Sequence, residues 1–267
     1  MLNPRGYRQL PLHSNLVGWF AANKINNVNT ALPSDGTSVS TWSDISGQGR
    51  LPTNSTATNQ PTFKTNIANG QPAVLFDSNA GGANGDWLTL GTTTDIGKLS
   101  LTGATDWTIF ICAKITAVTP PSGQSGTLLF NQGSGVSINE QYQFQQIPGG
   151  VLSITACAGD TGAVRTARAG NAIANTPFIV TAYSDTLGAA RFYSKLNTGA
   201  FVTSDGIYPS ILTTGSNFSI GRQKGGFTNR IFDGHIFEIL IYNSQLTADE
   251  RLVIERYLGT KYNIATA

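Results

Sequence analysis

The chain has 267 residues, of which 40% are hydrophobic and 12% charged, and its 17 basic and 15 acidic side chains leave a formal net charge of +2. That supply of apolar residues can build one large β domain or two small ones. So even a charge balance excludes the clustered Lys and Arg of a nucleic-acid footprint, and no run reaches the roughly 18 apolar residues of a membrane span.

With so little charge, the surface has to be made of Thr, Ser, Asn, Gln and Gly. Such a surface suits strands and turns, and hydrogen bonding to neutral ligands such as sugars. Met1 to Ser14 reads as an arm: Pro4, Gly6 and Pro11 interrupt structure, and Arg5, Arg8 and His13 are polar. It lacks the apolar core of an export signal. Either it is a loose end or it is a tether that docks on a partner. Residues 15–267 then form the domain, with no composition break and no internal repeat.

Strand-like runs follow at short intervals. They are Asn15 to Ala22, Val39 to Asp44, Pro61 to Asn66, Ala73 to Asp77, Trp87 to Leu90, Asp106 to Ile115, Thr127 to Phe130, Tyr142 to Gln146, Val151 to Ala156, Phe178 to Tyr183, Ala190 to Ser194 and Asn217 to Ile220. Gly and Pro punctuate the gaps. No helical pattern separates these runs, so parallel βαβ units are excluded and an antiparallel sandwich is expected.

The most informative stretch is Ile231 to Tyr262. His235 to Tyr242 (HIFEILIY) is apolar almost throughout and rich in β-branched and aromatic types, the pattern of a central strand covered on both faces. Thr247 and Glu250 then stand at capping-box spacing. Val253, Ile254, Tyr257 and Leu258 share one side of the helix that follows, which predicts a helix lying on the sheet.

Cys112 and Cys157 each sit in an apolar strand-like run, so buried free thiols are expected, with a bridge between neighbouring strands as the alternative. Without an export signal, the acceptor patterns at Asn54 and Asn217 are expected to stay unglycosylated.

Six segments in order resemble laminin-G-like domains of the concanavalin A-like lectin/glucanase group. They are LVGWFAAN from Leu16, VSTWSDISGQG from Val39, QPTFKTNIANGQPAVLFD from Gln60, DWLTL from Asp86, DWTIFICAKI from Asp106, and the run from Phe232 to Ile264. The resemblance implies an all-β, antiparallel two-sheet jelly-roll sandwich with a short C-terminal helix and an N-terminal arm. It does not by itself carry a function, which has to come from sites.

Glucanases of that group place carboxylates at alternate positions of one strand, and retaining hydrolysis needs two of them about 5 Å apart. Here the glutamates are Glu140, Glu238, Glu250 and Glu255 only, and no strand carries a carboxylate pair at that spacing. His13 lies in the arm, and His235 reads as a structural histidine sharing a face with Phe237 and Ile239. No metal cluster, P-loop or dinucleotide fingerprint is present. The expectation is therefore no enzyme, with a glycoside hydrolase as the weaker alternative. Calcium, which many members of the group hold, leaves Asp44, Asp77 and Asp86 as candidate ligands. The competing reading of Asp44 is an Asx turn onto its own backbone.

Trp19, Trp42, Trp87 and Trp107 fall in framework segments and read as packing residues. The candidates for ligand binding are Tyr142, Phe144, Tyr208, Arg222, Lys224, Phe227, Asn229 and Arg230, with the local positive charge around Phe227 suited to an acidic glycan or protein surface. Domains similar to this one occur on phage heads and tails, and a particle released by lysis reconciles an adhesive domain with a missing export signal. The sequence thus predicts a lectin-like module on a virus particle, otherwise a cytoplasmic protein. Its expected partners are a glycan or host-surface polysaccharide, a capsid or tail protein held through the arm, and further copies of itself. Pure decoration without glycan binding is the alternative.

Overall fold

The computed structural model describes residues 15–26, 30–78, 85–90, 106–120, 125–133, 140–157, 164–185, 191–207, 215–222 and 230–267. Among these the chain forms β1 (Leu16–Ala21), β2 (Thr62–Ala68), β3 (Gln71–Phe76), β4 (Leu88–Thr89), β5 (Thr108–Ile115), β6 (Gly126–Gly133) and β7 (Glu140–Ile147). There follow β8 (Val151–Cys157), β9 (Val164–Asn171), β10 (Phe178–Asp185), β11 (Arg191–Leu196), β12 (Val202–Thr203), β13 (Gly215–Ile220), β14 (Gly234–Tyr242) and the helix α1 (Ala248–Tyr262). The arm, Met1 to Ser14, lies outside the described residues.

The strands make two antiparallel sheets. The larger runs β12-β11-β10-β5-β14-β3-β2, with β1 also paired to β14, and the smaller runs β4-β13-β6-β7-β8-β9. The expected antiparallel two-sheet sandwich with one C-terminal helix is what the chain forms. Between the sheets, Ile109, Ile111 and Ile115 of β5 and Ile236, Ile239 and Ile241 of β14 meet Leu129, Phe144, Ile154, Phe218 and Ile220 of the smaller sheet. Alternation along each strand sends every second side chain into this layer.

β14 is the central strand, as its unbroken apolar run predicts, and its second face is covered by α1. The alternation expected along it fails at one place. A register irregularity falls between Ile236 and Glu238 against β5. Ile236 points into the layer between the sheets, whereas Phe237 and Leu240 join the separate cluster beneath the helix. A bulge of this kind sends two successive residues to one side. His235 therefore keeps Phe237 but not Ile239 as a face neighbour, and Glu238 keeps Leu240 but not Ile236.

The capping box is present: the Thr247 side chain accepts from the Glu250 N–H, and the Glu250 carboxylate accepts from the Thr247 N–H at 2.8 Å. Asn263 closes the other end in the left-handed conformation, φ 56°. Ile254, Leu258 and Tyr262 are buried against Phe110, Cys112, Ile179 and Phe237. Val253 lies only half-buried, because the covered side of the helix is rotated to include Glu255.

Two strand assignments change. Val39 to Asp44 is not a strand: it is held by isolated bridges of Ser38, Thr41 and Asp44 to Thr62, Thr53 and Phe20. β9, with its arginines, threonine and glycine, is a strand that apolar patterning misses. Cys112 is a buried free thiol under the helix, while β8, which carries Cys157, belongs to the other sheet. Asn54 is buried and spends its amide on the carbonyls of Asn59 and Trp87, 2.8 and 2.9 Å away, so it presents no acceptor for a sugar. One glycine is fixed by geometry. Gly221 has φ +86°, and a Cβ there would lie 2.2 Å from Cδ1 of Phe76.

Candidate functional site

The ligand-binding residues expected from sequence separate in three dimensions. Phe144 is 2% exposed and belongs to the core between the sheets, so it is no ligand platform. Alternation in β7 gives the outer face to Gln143 and Gln145 instead, whose amides donate to Thr127 and Thr155 at 2.6 and 3.0 Å. Tyr142 occupies the β7 position opposite Asn131. Tyr208, Lys224, Phe227 and Asn229 lie outside the described residues. Arg222 bridges to Ile231, which brings the half-buried Arg222 and Arg230 to one end of the smaller sheet. The Arg222 guanidinium lies 4.5 Å from the centre of the Trp87 ring, and burial lowers its pKa. That stack is a packing contact that covers one face of the ring.

Asp44 takes its turn role. Its Oδ1 accepts from the Ser46 N–H two residues on and from the Trp19 N–H, both at 2.9 Å, and Arg50 stands 3.9 Å away. With both oxygens facing donors, Asp44 does not fit a calcium ligand. Asp77 is exposed and Asp86 is 2% exposed. Among the described residues, no group of three or more His, Cys, Asp or Glu side chains is arranged to hold a metal. Asp86 is unusual for a different reason. Its Oδ2 accepts from the Asp77 N–H at 3.0 Å, its Oδ1 is buried without a partner, and desolvation followed by the nearby Asp77 carboxylate pushes its pKa up to about 7.

The folded chain holds the Asp86 proton to about pH 7, and the unfolded chain releases it near 3.8. The stability it contributes is present below 3.8 and is lost as pH rises through 7. In Asp86→Asn the melting temperature should fall less between pH 5 and 8 than in the natural chain, to be measured by circular dichroism; equal slopes refute the assignment.

The glutamates are engaged under α1. Glu238 is fully buried and accepts four bonds: from Trp19 Nε1 at 2.6 Å, Lys261 Nζ at 2.7 Å, Tyr262 OH at 2.8 Å and Tyr257 OH at 3.1 Å. Glu255 accepts from Lys195 Nζ and from Thr181 Oγ1, each at 2.8 Å. Both carboxylates fasten the helix to the sheet. Neither is open to a substrate.

A cluster that sequence reasoning did not single out lies beside the start of α1. Tyr183 of β10 and Tyr193 of β11 are direct cross-strand partners, and their rings stack at 4.8 Å with an interplanar angle of 13°. The Phe201 ring stands edge-on to Tyr183 at 5.0 Å. The Arg251 guanidinium covers Tyr183 at 4.0 Å, and Lys195 Nζ lies 5.0 Å from the Phe201 ring. Burial, only partly offset by Arg251, raises the Tyr183 pKa. All three rings are half-buried, and the neighbouring Val202 of edge strand β12 is 44% exposed. Alternation gives Tyr193 the face opposite to Phe192 and Tyr183 the face opposite to Ala182, but only the strand register sets the two tyrosines side by side.

The fold and this surface define a two-sheet β-sandwich with an aromatic and cationic patch on its outer face. No protein-family model matches the chain, and no curated protein sequence matches it. Solved structures share its fold. The receptor binding domain of botulinum neurotoxin D is similar at a TM-score of 0.60 and 13% identity, over 92% of this chain and 53% of that one. Trypanosoma rangeli sialidase in complex with sialic acid is similar at a TM-score of 0.54 and 12% identity, over 97% of this chain and 35% of that one. Thus the chain spans about half of the toxin domain and about a third of the sialidase. A Ruminococcus gnavus IT-sialidase CBM40 bound to sialyllactose aligns over 58% of this chain and 83% of that one, at 15% identity and a TM-score of 0.46. The likenesses to the toxin domain and to the sialidase establish a β-sandwich fold.

Proposed function

We propose that this chain is a non-catalytic, lectin-like module that binds glycan on the Tyr183–Tyr193–Phe201 patch, and that residues 1–14 tether it to a larger particle. The observation that carries the reading is the stacked tyrosine pair at the edge of the larger sheet, flanked by Arg251. Sugar C–H faces pack on aromatic rings, and phenol and guanidinium groups supply hydrogen bonds at the rim. Tyr183 is covered by Arg251 on one side and by Tyr193 on the other. Tyr193 faces the short edge strand β12, so its ring is the stacking surface. Glu238 and Glu255, spent on holding the helix, supply no acid and nucleophile for hydrolysis. The fold shared with a toxin receptor-binding domain agrees with a binding role but carries the fold alone.

The test is a glycan array on the purified protein, with and without calcium, beside Tyr193→Ala and a form lacking Met1 to Ser14. Loss of one stacking ring is expected to weaken binding about tenfold, from roughly 1.4 kcal/mol. The truncated form should keep its glycan and lose particle association. An array without any signal would reject the glycan reading and leave decoration of a particle as the function.

A further inference from the structure

On the other side of α1, the outer face of the larger sheet carries a second group of side chains. His235 of β14 is the direct cross-strand partner of Lys114 of β5 on one side and of Leu75 of β3 on the other. Lys64 of β2 pairs with Ala73, two positions along β3 from Leu75, and so shares that face. Ile115, Ile236, Val74, Phe76 and Phe63 fill the opposite face, which fixes the outward direction of all three basic side chains.

Lys64 donates to Asp35 at 3.1 Å, an exposed pair that is weak in water. Among the described residues Lys114 has no acidic partner, and Nδ1 of His235 is buried without a hydrogen bond. Desolvation, then Lys114 and then Lys64, lower the His235 pKa to about 4. Desolvation likewise lowers that of Lys114. Leu75 is neutral. Glu238 is committed to Lys261, Asp233, just before β14, accepts from the Ser78 N–H, and the exposed Asp77, just after β3, lies close enough to raise the Asp233 pKa. Two half-buried cationic groups and an imidazole thus face outward, with Asp35 paired to Lys64 and the exposed Asp77 two positions beyond Leu75.

We propose that Lys114, His235 and Lys64 form a binding site for a single carboxylate or phosphate group presented at the outer face of the larger sheet. The anion would sit over His235, take a charge-assisted hydrogen bond from Lys114 Nζ, and favour the protonated imidazole through its negative charge. Lys64 would exchange part of its contact with Asp35 for the ligand. The site does not rest on the glycan reading, because it shares no residue with the tyrosine patch.

The sequence holds two histidines, His13 and His235, so the ring protons of His235 are assignable from the spectrum of His235→Gln. Proton NMR titrations would be run in chloride, in sodium glucuronate and in sodium phosphate at equal ionic strength. The His235 midpoint should rise in at least one of the two test anions relative to chloride, and His13 should not follow. A rise in glucuronate alone assigns the site to a sugar acid, and a rise in phosphate alone to a phosphoryl group. In Lys114→Met, checked for an unchanged fold by its dispersed methyl signals, the anion-dependent rise should vanish. A midpoint that is the same in all three salts overturns the proposal, as does a rise that survives both Lys114→Met and Lys64→Met.

Discussion

Replacing Glu238 with glutamine should lower stability by about 3–5 kcal/mol, the cost of leaving a buried charge without its partner. At roughly 2–4 °C per kcal/mol for a chain of this size, the melting temperature should fall by on the order of 10 °C. The reason is the traffic through one carboxylate. Four donors converge on it from two directions: Trp19 from β1, and Tyr257, Lys261 and Tyr262 from α1. Glutamine offers one acceptor oxygen and presents an amide to groups that only need acceptors. It also takes the carboxylate from the Lys261 ammonium, whose side chain is 11% exposed, and leaves it only the neutral acceptors Asn23 and Tyr257. Hydrogen exchange should localise the damage to 248–262 and to β1, ahead of β5 and β10. The double variant Glu238→Met with Lys261→Met should recover much of the loss, since the pair is then absent and not merely broken. A melting temperature within two or three degrees of the natural chain would refute this account of how the helix is held.

Gly221→Ala should cost about 3 kcal/mol. A left-handed backbone costs an ordinary residue roughly 1–2 kcal/mol, and forcing a methyl into a filled site adds about 1–3. The methyl would have to occupy space 2.2 Å from Cδ1 and 2.6 Å from Cε1 of Phe76, with the Asp86 carbonyl at 2.9 Å behind it. The Phe76 ring is fully buried beside Phe232, so it has nowhere to turn. Urea unfolding followed by tryptophan fluorescence would read the loss. Gly36→Ala is the control: φ is +83° there too, but nothing lies within 4 Å, so only the smaller backbone cost should appear. Equal losses at the two glycines would show that crowding against Phe76 contributes nothing.

How much of this was legible beforehand depends on which interactions set each feature. The central strand was readable because HIFEILIY leaves no exposed face, and the helix start because Thr247 and Glu250 stand three apart. Asp44 was readable as a turn residue for the same local reason. Features set by long-range partners were not. The bulge after Ile236 is a mismatch between β14 and β5, invisible in either strand alone, and it decides that Glu238 faces the helix. Burial of Glu255 depends on Lys195, sixty positions away in sequence. Phe144 looked like a ligand contact because it reads as lying on a loop or between strands, yet the parity of β7 against β6 and β8 points it inward. The tyrosine patch was hidden in the opposite way. Each tyrosine lies in an ordinary strand, and only the register that sets Tyr183 opposite Tyr193 makes a surface of them.

The pairing of β1 with β14 has a consequence for how the chain is made. During synthesis, Leu16 to Ala21 leave the ribosome early and, apart from contacts with Asp44 and Ile45, have to wait for Glu238 to Tyr242 before they find a strand partner. Until then β3 and β5 also keep an open edge each, since β14 is the strand that separates them. The β6–β9 meander, in contrast, can zip up from successive hairpins as it emerges. The two halves of the sandwich therefore mature at different times, and the nascent larger sheet is the part that needs shielding from its own neighbours on a crowded polysome.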